Sequence, residues 1–436
     1  MAVQQAYVGE ISLTFNYKEF QGSAVQSEFV EPERISYVMI EHLYDNEHIL
    51  PVIYISLNLK SDMYSKIVNT PKTSTFTLTI RKKNKLIKSS ASTEVVNDIF
   101  TYVTSSSEAN YSAKLDSTSY GEAVSYKNIT IGLVSAKATN KLRQSYNGIY
   151  RNIKESDLIN MALDDLPGII KEDYKYDKEY TSFLIPPLSS RFKLLEFLFD
   201  KDPFYDSLFT FYMDFKKSYL ISRNGNGVNS KDGKPININI NIKEFTAEEA
   251  NTSGYSIINN GYVININAND AKILVNNSTN KTVNRLVAYS DENEVQTLDI
   301  NTNNAESSDT KIEFVRTKNA ASLKNKIQSS AVMIELFKQS IDGDIFAPNM
   351  SFNIRNYKDY RNYDGKYYLY YKKEVYSKVD GDQFTVVCNI GLKKTVSEEV
   401  ARSSNNTYNI LTPIRSSKTT STNSLKNSLN SRIADR

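Results

Sequence analysis

Hydrophobic and polar residues alternate with a period of two along most of this chain, and only three stretches switch to a helical period. Tyr7 to Tyr17 carries Ile11, Leu13 and Phe15 on one side and Ser12, Thr14 and Asn16 on the other. Thr75 to Arg81 repeats the pattern through Phe76, Leu78 and Ile80. Ile35 to Leu43 and Pro51 to Leu59 read as strands around Tyr44-Asp45-Asn46-Glu47, a hairpin tip. Half-buried strands this close in sequence predict a small barrel or sandwich over residues 1–127, with Thr101 to Tyr126 open between a strand and a long loop.

The character changes at Asn128. A strand over Ile129 to Leu133 precedes polar Lys137 to Ser145 and the turn signal Asn147-Gly148. Glu155 to Leu166 is predicted helical, with Leu158, Ile159, Ala162, Leu163 and Leu166 at helical spacing, Ser156 as cap and Pro167-Gly168 as stop. From Tyr180 an apolar strand runs to Ile185-Pro186-Pro187, where two prolines are expected to force the chain out of the sheet. A helix from about Ser190 to Asp200 follows, capped by Ser189 or Ser190. Phe192, Leu195 and Phe199 share one face beside Leu194 and Leu198, and Pro203 closes it. An aromatic strand, a polar turn and another strand complete a mixed α/β insert over residues 128–223, and 224–233 (NGNGVNSKDG) form a joint.

A second β region is expected over residues 234–396. Ile236, Ile238, Ile240 and Ile242 alternate with Asn237, Asn239 and Asn241, and Tyr262, Ile264 and Ile266 repeat the pattern after Asn260-Gly261. Ala320 to Ile341 reads as one long helix with a stripe of Leu323, Ile327, Ala331, Ile334 and Phe337 or Lys338. Strands resume over Ser351 to Tyr357, Lys366 to Tyr376 and Gln383 to Leu392. Residues 397–436 are a polar tail, expected to order only against a neighbour. The fold class is therefore mainly β with an α+β insert.

Charge and composition narrow the chemistry. The chain has 436 residues, and 53 Lys and Arg stand against 50 Asp and Glu, a formal net charge of +3, which argues against a domain built to grip phosphates. The single Cys388 excludes an internal disulfide and a thiolate-rich metal site. No apolar run is long enough for a membrane-spanning helix, and Met1 to Glu10 lacks signal-peptide features, so assembly in a cytoplasm is expected. His42 and His48, near Glu41, Asp45 and Glu47, could be imagined around a metal, but two imidazoles beside a turn read better as solvated side chains. Among paired carboxylates, Asp342 with Asp344 and Asp380 with Asp382 flank Gly343 and Gly381, which is turn chemistry, and Asp164-Asp165 and Glu248-Glu249 do not stand out. G-x-S-x-G, G-x-x-x-x-G-K-[ST] and H-E-x-x-H are absent, and 224–233 lack the acidic spacing of a calcium loop. No catalytic, cofactor-binding or metal residue is assigned. The 30 tyrosines suit strands and protein interfaces, while a glycan-binding face or a hydrolase with a carboxylate pair remain the alternatives.

The order in Tyr180 to Ser222, YTSFLIPPLSSRFKLLEFLFDKDPFYDSLFTFYMDFKKSYLIS, resembles the inserted domain of baseplate hub proteins of contractile-tailed phages. The second β region is similar to that family's C-terminal barrel in Ile345-Phe346-Ala347-Pro348-Asn349, Gly365-Lys366-Tyr367, Lys372-Lys373-Glu374 and a last strand ending Leu392-Lys393-Lys394. The resemblance implies two tail-tube-like β-barrel domains, 1–127 and 234–396, flanking the insert. It further implies a non-enzymatic homotrimer without cofactors, adapting a hexameric tail tube to a trimeric central spike or tail lysin. Other baseplate proteins and a tape measure protein would be neighbours, genomic DNA would pass through, and the place would be the virion tail baseplate.

Overall fold

The alternating stretches are strands in the computed structural model, which describes residues 7–20, 22–44, 48–69, 74–85, 91–106, 111–112, 126–171, 177, 179–195, 209–222, 238–243, 255–258, 261–275, 283–289, 295–300, 310–316, 332–339, 343–348, 350–355 and 364–394. The N-terminal part holds β1 (Tyr7–Tyr17), β2 (Gln26–Val30), β3 (Ile35–Leu43), β4 (Val52–Lys60), α1 (Ser61–Asn69), β5 (Thr75–Asn84), β6 (Thr93–Ser106), β7 (Tyr111–Ser112) and β8 (Tyr126–Ser135). Next come α2 (Ala136–Leu142), β9 (Ser145–Lys154), α3 (Glu155–Leu163), β10 (Ile169–Lys171), β11 (Glu179–Ser190), β12 (Phe209–Met213) and β13 (Ser218–Ser222). The remainder is β14 (Ile238–Lys243), β15 (Tyr255–Ile258), β16 (Gly261–Asn267), β17 (Ala271–Val275), β18 (Val283–Tyr289), β19 (Val295–Ile300), β20 (Thr310–Arg316), β21 (Val332–Gln339), β22 (Ser351–Arg355), β23 (Gly365–Asp380) and β24 (Gln383–Lys394). The fold is mainly β.

Strand pairing closes a barrel of eight strands in the order β23-β3-β4-β8-β6-β5-β1-β24, because β23 and β24 also pair with each other. Leu13, Phe15, Val38, Ile55, Leu78, Phe100 and Ile131 fill its interior. At this strand number the lumen is just wide enough for side chains, so the barrel is a packed core and not a bore. A second array runs β17-β21-β24-β23-β22-β14-β16-β15, over a separate core that includes Ile240, Ile264, Ile334, Phe352 and Leu392. β23 and β24 have 16 and 12 residues, longer than most strands, and this length lets them serve both arrays. Phe384 and Val386 lie in the first core, and Cys388, Ile390 and Leu392, on the same face of the same strand, lie in the second. A third core is built on α3 and the β9–β11 ribbon, with Leu158, Ile159, Leu163, Phe183, Ile185 and Leu220. Residues 278–323 belong to a separate compact unit, within which β18 pairs antiparallel with β19 and parallel with β20.

Several local expectations change. Pro186 and Pro187 do not end their strand: β11 runs through to Ser190, with a bulge where its register on β9 shifts between Ile185 and Ser189. Gly148, opposite Ile185, has φ +140°, so Asn147-Gly148 serves that bulge inside β9 and not a turn. Polar 137–145 begins as helix α2, capped by the Ser135 hydroxyl, which accepts from the Ala138 N–H at 3.2 Å. Ser156 does not cap α3; it lies inside the first turn, and its N–H and hydroxyl donate to Asp177. Ser190 does cap the following helical residues, 191–195, accepting from the Lys193 N–H at 3.2 Å, and the rest of that helix lies outside the described residues.

The long helix expected over 320–341 is overturned where it is described: Val332–Gln339 is strand β21, paired antiparallel with β17 and β24. Residues 320–331, the 224–233 joint, Glu248-Glu249 and the 397–436 tail lie outside the described residues. Thr101 to Tyr126 opens with the end of β6, and Tyr111–Ser112 pairs with β8.

Candidate functional site

The second β region's Lys372-Lys373-Glu374 lies where β23 leaves one core for the other. Alternation turns Lys372, Glu374 and Tyr376 inward, and the same rule turns Lys82 of β5 inward after Phe76, Leu78 and Ile80. On β3, Val38 and Ile40 are followed by His42. The four polar side chains Lys82, Lys372, Glu374 and His42 are only 2–4% exposed. Glu374 sits between two ammonium groups, with Lys372 Nζ 3.7 Å from one carboxylate oxygen and Lys82 Nζ 3.8 Å from the other. The Tyr376 hydroxyl donates to the same carboxylate at 3.0 Å. Lys372 Nζ also donates to the Gly343 carbonyl at 3.1 Å, and Lys82 Nζ approaches Asp344 at 3.7 Å. Glu374 passes so close to Gly343 that a Cβ there would lie 1.9 Å from its carboxylate, so only glycine fits.

The β12–β13 hairpin brings the insert to this junction. The Tyr212 hydroxyl and His42 Nδ1 are 3.0 Å apart, within hydrogen-bonding distance, and Phe215 meets the His42 and Phe100 rings edge-on. Tyr212 and Tyr219 pack in the second core, Phe215 against the first, and Phe211, Met213 and Leu220 in the third. A cavity of about 250 Å³ remains beside them, bordered by His42, Asp214, Lys216, Asp344, Lys372 and Glu374.

Burial, aided by the Lys372 charge, holds the His42 imidazole well below its usual range, so it is neutral. Burial would lower the Lys372 ammonium, but Tyr44, Glu374, Asp214 and Asp344 around it carry it well above the ordinary lysine range. Burial would raise Glu374, yet Lys82, Lys372 and the Tyr376 hydrogen bond outweigh it and keep the carboxylate ionised. Burial raises Asp214. A carboxylate compensated on both sides is a poor base; the arrangement is suited to fixing three cores against one another. Breaking such a buried pair from one side typically costs about 3–5 kcal/mol.

The structure thus corrects the reading of His42 as a solvated side chain, while His48 lies in the connection before β4, exposed. Asp45 and Glu47 lie outside the described residues, and among the described residues no group of His, Cys, Asp and Glu is placed to hold a metal. Asp380 and Asp382 bracket Gly381 at the tip of the β23–β24 hairpin, as turn chemistry predicts. Asp164 and Asp165 lie in the turn after α3, and Asp165 has φ +63°. The signal for the buried cluster was the alternation itself, which points Lys82 and His42 into the core as firmly as the isoleucines before them.

No family model matches the chain, and no curated protein matches it in sequence. Solved structures do. The chain is similar to the tail protein from Neisseria meningitidis at 8% identity, over 88% of this chain and 97% of that one, with a TM-score of 0.44. It is similar to a prophage tail protein from Shewanella oneidensis at 10% identity, over 88% and 96%, with a TM-score of 0.45. A prophage tail protein from Listeria monocytogenes matches at 9% identity over 90% and 97%, with a TM-score of 0.40.

Proposed function

We propose that this chain is a structural hub of a phage-type tail baseplate, adapting a hexameric tail tube to a trimeric central spike and enclosing part of the DNA channel, without hydrolytic chemistry of its own. The observation that carries the reading is two eight-strand arrays over separate cores, locked together by one shared hairpin and a buried charge cluster. A chain with two similar domains in fixed relation gives six similar docking surfaces per ring of three, which is what a threefold-to-sixfold adaptor needs. The packed barrel interior fits the same reading, because DNA would then pass between copies and not through a barrel. The domain division belongs to the proposal: a first barrel over 1–127, the insert over 128–223 and a second barrel over 234–396, with β8 carrying the first barrel past its bound to Ser135 and residues 365–394 built into both. The partners are the tail tube protein, the spike and neighbouring baseplate proteins, in a virion tail assembled in the host cytoplasm.

Solution mass tests this directly. Light scattering is expected to give a homotrimer, either alone or on adding the spike protein, since partner contacts can supply stability that a weak ring lacks. A monomer with and without spike, or a dimer in every condition, overturns the assignment.

A further inference from the structure

The end of the first barrel where β5 finishes carries a second charged feature, with more cations than carboxylates among its described groove residues. The end of β5 alternates Arg81, Lys83 and Lys85 outward, while Lys82 turns into the buried cluster. Cross-strand register separates the three exposed cations. Arg81 lies between Glu10 of β1 and Glu94 of β6, so carboxylates flank it on both sides. Lys83 lies opposite Val8, and Lys85 follows the last paired residue. Among the described residues neither lysine is in an ion pair. Both border a concave groove of about 320 Å³, together with Glu10, Asn84, Ser92 and Gln383.

We propose that this groove docks an extended acidic segment of a partner protein, whose carboxylates are held by Lys83 and Lys85. Charge complementarity and size decide the occupant. Two cations in no ion pair among the described residues, set in a shallow concavity, match one or two carboxylates, and charge-assisted bonds to them are the stronger class of polar contact. A nucleic acid duplex is a poorer fit, because non-specific binding draws on many phosphate contacts and the groove offers two cations. The neutral amide of Gln383 and the hydroxyl of Ser92 supply further donors along the groove. This inference does not depend on the tail reading.

The test uses the full chain with hexaglutamate peptide and a short DNA duplex as probes, followed by fluorescence-detected titration at physiological ionic strength. The peptide is expected to bind weakly and to lose about tenfold in affinity in Lys83→Glu/Lys85→Glu, a loss of about 1.4 kcal/mol, while Lys137→Glu on α2 leaves it unchanged. These side chains are exposed, so circular dichroism should match the wild type and confirm that the variant is folded. Absence of peptide binding, peptide binding that survives the double variant, or a duplex that binds more tightly than the peptide and loses its hold in the double variant each overturn the proposal.

Discussion

At the scale of single residues, the unusual expense in this protein is the ionic cluster between its cores. Lys82, Glu374 and Lys372 contribute through mutual compensation, so their effects should not add. Lys372→Met alone strands Glu374 beside a single ammonium and is expected to cost about 3–5 kcal/mol, whereas Lys372→Met/Glu374→Leu should cost clearly less, because a buried pair can be exchanged for apolar groups of similar volume. Urea midpoints for the two singles and the double give this cycle, and additive losses would contradict it. His42 adds a pH term. Its neutral form is the one the fold holds, under the influence of burial and Lys372, with Glu374, Asp214, Tyr44 and Tyr212 also nearby. As pH falls through the ordinary imidazole value of 6.5, the unfolded chain takes up a proton that the native state refuses, so stability is lost on acidification. The loss approaches about 1.4 kcal/mol per pH unit. Asp214, raised by burial, works in the opposite direction at lower pH, so the comparison must be with His42→Gln, which should flatten the slope between pH values of about 5 and 7 in denaturant titrations.

Among the secondary-structure elements, those legible in sequence were the ones whose own pattern decides them. Thr75 to Arg81 reads as a strand, since Phe76, Leu78 and Ile80 share one face only at period two; on a helix Leu78 would point away from Phe76 and Ile80. Val332 to Gln339 was not decidable this way. Ile327, Ala331, Ile334 and Lys338 fit a helical stripe, but Ile334 and Leu336 also alternate, and pairing with β17 and β24, both distant in sequence, selects the strand. Pro186-Pro187 misled for a related reason: prolines forbid ladder donors, but a bulge on a two-stranded ribbon tolerates them. Least legible was the double duty of β23 and β24, because each reads as one ordinary long strand. That sharing has a measurable consequence. Leu13→Ala in the first core and Leu392→Ala in the second should each cost about 2–5 kcal/mol. Either one should lower amide exchange protection in both β8 and β14, because the hairpin belongs to both cores. Loss confined to the mutated core, seen by hydrogen-exchange mass spectrometry, would mean the two arrays open independently.

For the whole molecule, the hub proposal turns on which faces would line a passage if copies assemble, and the strand faces limit the answer. Ile240 and Ile242 on β14 and Ile264 and Ile266 on β16 are buried in the second core, so Asn239, Asn241 and Asn265 point the other way. The two strands are parallel and in register, which sets Asn241 beside Asn265, and its Nδ2 donates to the Asn265 side-chain Oδ1 at 3.2 Å. Asn269 stands outside this row, in a 3-10 turn between β16 and β17. A neutral amide surface hydrogen-bonds water without holding phosphate, and would let a duplex slide. If the ring of three forms, these amides are expected on its inner wall, while Lys83 and Lys85, which would retard DNA, are expected away from it. A density map of the assembled ring decides between the two placements. Amides on the outer surface, or buried against a neighbouring copy, would remove the lumen assignment and leave the hub reading to stand on the mass of the particle alone.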